Sequence, residues 1–284
     1  MSEAVEDALQ RNDSEAINEI LQLQLIAVDE IFDDGFSPLM NAALHGSCEI
    51  CEVLIQAGAR ADQRGKMGAT PLLIASQSGH ADVVDLLLAS GATADAARDN
   101  GTTPLIVASQ FGHVRCVESL LDAGADPNHA DASGYTSLMR ACSTGHVECV
   151  DLLCTFLAEV DAMSNDGFTA IRIACAADHP DCLRALLRAG CPADLSSQWR
   201  REDGSIGEAA PLEVACAAGH LECVHLLLEA GVSRASMIKA IHWSKQTHQA
   251  ACALAIKQVL QDGGNAARGK RLLESSSADP MLTD

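Results

Sequence analysis

Gly35, Gly68, Gly101, Gly134 and Gly167 stand 33 residues apart, and a fixed period of that length is the mark of a repeat architecture. The stretch from Gly101 to Asn128 shows what is repeated. After the turn glycine comes Thr103-Pro104, where threonine can cap a helix N-terminus and proline suits its first position. A short apolar helix is expected through Ala108, stopped at Gly112 by the left-handed conformation that glycine adopts at low cost. A second helix then carries Cys116, Val117, Leu120 and Leu121 on one face, and Gly124 closes it. One such helix pair has more apolar surface than it can bury alone, so copies must stack on each other.

The copies begin at Ser37-Pro38-Leu39, Thr70-Pro71-Leu72, Thr103-Pro104-Leu105, Thr136-Ser137-Leu138, Thr169-Ala170-Ile171 and Ala210-Pro211-Leu212. This pattern resembles the ankyrin repeat family, whose motif is T-P-L-H-x-A followed by a Gly-His turn and a run of leucines. The resemblance implies an all-α ankyrin-repeat solenoid of stacked helix-turn-helix units with hairpin loops. The chain departs from the motif at its histidine, replaced by Met40, Leu73, Ile106, Met139, Arg172 and Glu213. That puts in question the hydrogen bonds which this histidine makes in the family.

Six repeats span residues 35–234. Residues 1–34 read as a degenerate N-terminal capping repeat: a helix over Ala4 to Arg11, a turn at Asn12-Asp13, and Ser14 capping a second helix. Residues 235–262 read as a degenerate C-terminal cap opened by Ser236, and 263–284 as a flexible tail. Two repeats are irregular. Leu157 stands where others have Gly58, Gly91, Gly124, Gly190 and Gly231. A left-handed non-glycine residue costs ~1–2 kcal/mol, so the helix is expected to end differently after Phe156. Asp178 replaces a turn glycine ahead of Pro180, a change both residues tolerate. Between the fifth and sixth repeats, eight extra residues enter a connecting loop around 197–207. Lengthening a surface loop this much costs under ~1 kcal/mol.

The net charge of −20 disfavours nucleic acid or an anionic membrane as the main ligand. No uncharged run approaches the ~18 residues of a membrane span, and the acidic N-terminus does not read as a secretory signal. The twelve cysteines recur in columns: Cys116, Cys149, Cys182 and Cys223 in one, Cys142, Cys175 and Cys216 in another. Matching positions in successive repeats lie ~10 Å apart, beyond the ~7 Å Cα limit of a disulfide. They read as small core residues in a reducing compartment, cytosol or nucleus. His80, His113, His146, His179 and His220 recur at the inter-helix turn, too dispersed for one metal centre, and read as satisfying local backbone groups. Cys48 and Cys51 have C-x-x-C spacing but no second pair nearby. No metal, cofactor or catalytic residue is assigned, since no nucleophile elbow, phosphate loop or metallohydrolase motif occurs.

The few aromatic residues carry the functional expectation. By the family resemblance, the residue after the turn glycine and the two before the Gly-His turn face a concave groove. That places Phe36, Tyr135, Phe168 and Phe111 there, and Trp243 with them if the last repeat is aligned on Ser236. Trp199, Arg200 and Arg201 stand on the inserted loop beside it. Interface hot spots favour aromatics and arginine. The expected function is a non-catalytic, monomeric protein-binding module: an adaptor, scaffold or inhibitor. The alternative is a substrate-receptor or regulatory subunit of a larger enzyme complex such as a ubiquitin ligase.

Overall fold

In the first five repeats the first helix starts because its cap residue offers a hydroxyl to an otherwise orphaned backbone N–H, whereas Ala210 opens the sixth without one. The hydroxyls of Thr70, Thr103, Thr136 and Thr169 accept from the N–H of Leu73, Ile106, Met139 and Arg172 at 3.3–3.4 Å. Pro38, Pro71, Pro104 and Pro211 sit where no helical N–H is needed. Gly112, at φ +72°, ends its helix in the left-handed region.

The computed structural model describes residues 5, 7–9, 11–200 and 206–261, in two compact units, Met1–Glu159 and Val160–Asp284. In the N-terminal unit, α1 (Ser14–Gln22) precedes four helix pairs. These are α2 (Pro38–His45) with α3 (Cys48–Gln56), and α4 (Pro71–Ser78) with α5 (Ala81–Ala89). Then come α6 (Pro104–Phe111) with α7 (Val114–Asp122), and α8 (Ser137–Thr144) with α9 (Val147–Thr155). In the C-terminal unit, α10 (Ala170–Ala176) pairs with α11 (Pro180–Arg188), and strands β1 (Ser197–Arg200) and β2 (Ile206–Ala209) follow. Then α12 (Pro211–Ala218) pairs with α13 (Leu221–Ala230), and α14 (Arg234–Gln246) with α15 (Ala250–Gln261). Within each unit, first helices pack on first helices and second on second. Leu54, Leu87, Leu120 and Leu153 thus form one fully buried column through the N-terminal unit. Within each unit the helix pairs stack as the all-α repeat solenoid expected from the sequence.

Two polar seams join successive repeats. At the inter-helix turns, His80 Nε2 donates to the Leu44 carbonyl at 3.0 Å and His113 Nε2 to the Gln77 carbonyl at 3.1 Å. His220 Nδ1 donates likewise to the Cys175 carbonyl at 2.8 Å. The turn histidines were expected to satisfy local backbone; instead these bond to the preceding repeat. The turn glycine makes room for the ring: a Cβ on Gly79 would lie 2.7 Å from the imidazole of His113. At the hairpins, a carboxylate or amide of one repeat accepts an N–H of the next. Asp62 takes the N–H of Thr93 at 2.9 Å, Asp95 that of Asp126 at 3.1 Å, and Asn128 that of Glu159 at 2.7 Å. At the same offset from Asp161 stands Pro192, which has no N–H to give.

Several local expectations are corrected. The cap of α1 is Asp13, not Ser14: its Oδ1 accepts from Ala16 N at 2.9 Å. Ser233, not Ser236, caps α14, because its hydroxyl accepts from the Ser236 N–H. Leu157 does adopt the left-handed conformation, at φ +61°. The strain is offset because this keeps the hydrogen bonds that the glycine-ended helices make, Leu157 N to Cys154 O and Ala158 N to Leu153 O, while the side chain stays 83% exposed. The insertion is not a plain loop. Its arms pair as an antiparallel ribbon, with Trp199 opposite Gly207 and Arg200 opposite Ile206. The expected tail, 263–284, lies outside the described residues.

None of the twelve cysteines is in a disulfide, and all but Cys48 and Cys154 are buried. Burial pushes the thiols of Cys51 and Cys216 up to about 12. Spacing within one column does not govern every pair, however: Cys223, from a different column, lies near enough to Cys175 to push its thiol up together with burial.

Leu120→Ala should lower stability by ~2–5 kcal/mol through the cavity it leaves. Urea unfolding would show a lower midpoint; a midpoint unchanged within error would place Leu120 outside the core.

Candidate functional site

In the N-terminal unit the hairpins and first helices together line a groove of about 380 Å³. Its wall is set by the period: the residue after each turn glycine comes from a hairpin, and the end of each first helix faces it. Phe111, the last residue of α6, lies at this groove 48% exposed, with its ring stacked 6.1 Å from that of His113. The histidine that joins two repeats therefore also steadies this aromatic ring.

The other sequence-predicted aromatics of this unit are less accessible. Phe36 is half-buried against Met40, Ala69 and Ile74. Tyr135 is half-buried with the Arg140 guanidinium 4.4 Å over its ring. Arg140 is held by Asp131 at 2.6 Å, and the other oxygen of Asp131 accepts the N–H groups of Ser133 and Tyr135, each at 2.9 Å. Desolvation pushes the Asp131 carboxyl up. The bonds from Arg140 and those backbone groups outweigh it and hold the carboxyl below its usual range.

In the C-terminal unit, Phe168 is half-buried beneath the Arg172 guanidinium, 4.4 Å from its centroid. Arg172 is itself buried and donates to the Ser197 hydroxyl at 3.3 Å, so the position of the missing motif histidine now ties α10 to β1. Trp243, on α14, is 38% exposed and stands beside the buried carboxyl of Glu213. Burial raises that carboxyl, against the opposing charge of Lys239. Trp199 and Arg200 lie on β1, and Arg201 is outside the described residues.

Two groove residues escape a reading based on aromatics. Arg98 stands 33 positions before Asp131, and Arg140 stands 33 after Val107. Both are cations in columns otherwise filled by small, apolar or acidic residues, and that break in the column is the signal that could have found them. The other motif-histidine substitutes, Met40, Leu73, Ile106 and Met139, are buried and apolar and complete the core.

Among the described residues no group of three or more His, Cys, Asp or Glu side chains converges as a metal site, and no helix is long and apolar enough to cross a membrane. In comparison with protein families, the description "Ankyrin repeats (3 copies)" matches the chain at residues 5–97, 39–131, 91–162, 125–198 and 155–237. A search of curated proteins returns no match.

Because the folded pKa of Asp131 is depressed, its pairing stabilises the protein above the unfolded carboxyl value of ~3.9, and that stability is lost as pH falls through the folded value. Asp131→Asn should therefore lower the unfolding midpoint near neutral pH by an amount equivalent to ~1–3 kcal/mol. The gap should shrink on acidification to about pH 3. An equal gap at both pH values would show that charge is not what Asp131 contributes.

Proposed function

The chain belongs to the ankyrin-repeat family, whose repeats are protein–protein interaction modules, and we propose from that membership that it is a non-catalytic, monomeric binding module. It acts as an adaptor, scaffold or inhibitor that grips a protein partner on the face lined by its hairpins and first helices. The observation that carries this reading is the groove of the N-terminal unit. It sets an accessible aromatic ring, Phe111, among polar side chains held in place by their own neighbours. Interface hot spots favour such anchored aromatic and arginine residues. In the C-terminal unit Trp243 is an accessible ring beside the buried Glu213. Tyr135 and Phe168 contribute through the arginines that cover them, so they shape the face more than they contact the partner. Phe36 lies deeper and contributes least. Trp199, Arg200 and Arg201 of the insertion are further contacts for the partner. The mostly buried cysteines, none in a disulfide, support a reducing compartment, cytosol or nucleus.

Phe111→Ala and Trp243→Ala, made separately in the full chain, should each be assayed by calorimetry against the partner purified from the source cells. At least one should weaken binding by ~2 kcal/mol or more, with its unfolding midpoint little changed. Unchanged affinity in both, and in a Tyr135→Ala, Phe168→Ala variant that still folds, would remove this face as the binding surface.

A further inference from the structure

Charge within the groove of the N-terminal unit is unevenly settled. Arg140 is matched by Asp131, and Arg64 pairs with Asp99 at 3.2 Å. Arg98 is different. Its sequence neighbour Asp99 is engaged with Arg64, and Arg98 makes no ion pair among the described residues. Its Nη2 donates instead to the neutral Oε1 of Gln77, at 2.8 Å. The side chain is half-buried, and that burial pulls its pKa down, as expected of a cation partly stripped of water without an anion in exchange. A guanidinium has five N–H donors in a planar fork. Gln77 engages Nη2, and Arg98 lines the groove together with Gln110 and Phe111.

We propose that this groove holds an extended acidic segment of the protein partner, one carboxylate taken by Arg98 and an adjoining apolar side chain laid on Phe111. The proposal rests on the protein-binding reading above and adds the chemistry of what is bound. A carboxylate completes the fork with charge-assisted hydrogen bonds in a partly desolvated site. The protein's net charge of −20 opposes a polyanion such as nucleic acid, which needs many cations, whereas a single acidic side chain needs one. Repulsion from the remaining acids is screened beyond ~8 Å at physiological salt, while the Arg98 contact is made at short range.

The test pans the full chain against a random peptide library. Enriched peptides are then synthesised with each Asp or Glu replaced by Asn or Gln. The enriched peptides should share an acid whose replacement weakens binding about ten-fold. Arg98→Gln should weaken the acidic peptide by the same factor and leave its amide counterpart unaffected. Arg98→Lys should recover part of the loss, and all variants should keep the parent unfolding midpoint. Peptides without a required acid, or with one that matters equally to Arg98→Gln, overturn the inference. The protein-binding reading still stands if Phe111→Ala abolishes their binding. No enrichment, or binding indifferent to both Arg98→Gln and Phe111→Ala, overturns both. Competition at Arg98 by inorganic phosphate or a single-stranded oligonucleotide, with acidic peptides inert, assigns the site to a phosphate ligand and also overturns the inference.

Discussion

A pair of eight- or nine-residue helices cannot persist alone, since helices shorter than ~12 residues are marginal in water. Everything in this protein depends on each pair being completed by its neighbour. Apolar burial supplies most of that completion, through columns such as Leu54, Leu87, Leu120 and Leu153. Apolar contact is non-directional, however, and would allow one repeat to slide on the next. The histidine and hairpin seams supply the register. An imidazole N–H reaches the carbonyl of the preceding first helix, and a side-chain oxygen of one hairpin takes a backbone N–H of the next. Both bonds require a fixed offset between repeats.

With register and burial assigned to those columns, the groove positions are free to differ from repeat to repeat. Asp131 and Arg98 occupy equivalent places in neighbouring hairpins and do opposite things. Asp131 folds its own hairpin by accepting the N–H groups of Ser133 and Tyr135 and holding Arg140. Arg98 holds only a neutral amide and is left with donors to spend on a ligand. The same logic separates the rings. Tyr135 and Phe168 lie under guanidinium groups, whereas Phe111 rests on a seam histidine and keeps an accessible face. Shared architecture and individual recognition thus occupy different columns.

Most of the fold was legible because glycine, the Thr-Pro start and the leucine runs all share one period, and each has a local physical cause. What could not be read arises where one repeat meets the next or where local cost is outweighed nearby. Leu157 is strained in isolation, yet its turn keeps two backbone bonds that a different helix ending would lose. The insertion carries no strand-like alternation, and its pairing comes from the arms meeting across the ribbon. The column rule for cysteines considered only equivalent positions, so it missed the approach of Cys223 to Cys175 between columns. Of the groove, the aromatic positions were legible from the period. Accessibility was not legible, because it depends on which arginine covers which ring.

A left-handed glycine and the histidine of the following repeat form one interlocking contact. A double-mutant cycle on Gly79→Ala and His113→Ala, read by urea unfolding, tests it directly. A Cβ at Gly79 meets the His113 ring at 2.7 Å, in addition to the strain of its φ of +80°. Removing the ring should therefore relieve part of the Gly79→Ala penalty, giving a coupling of about 0.5 kcal/mol or more. Strict additivity of the two substitutions would show that glycine and histidine act independently, and that register is set elsewhere.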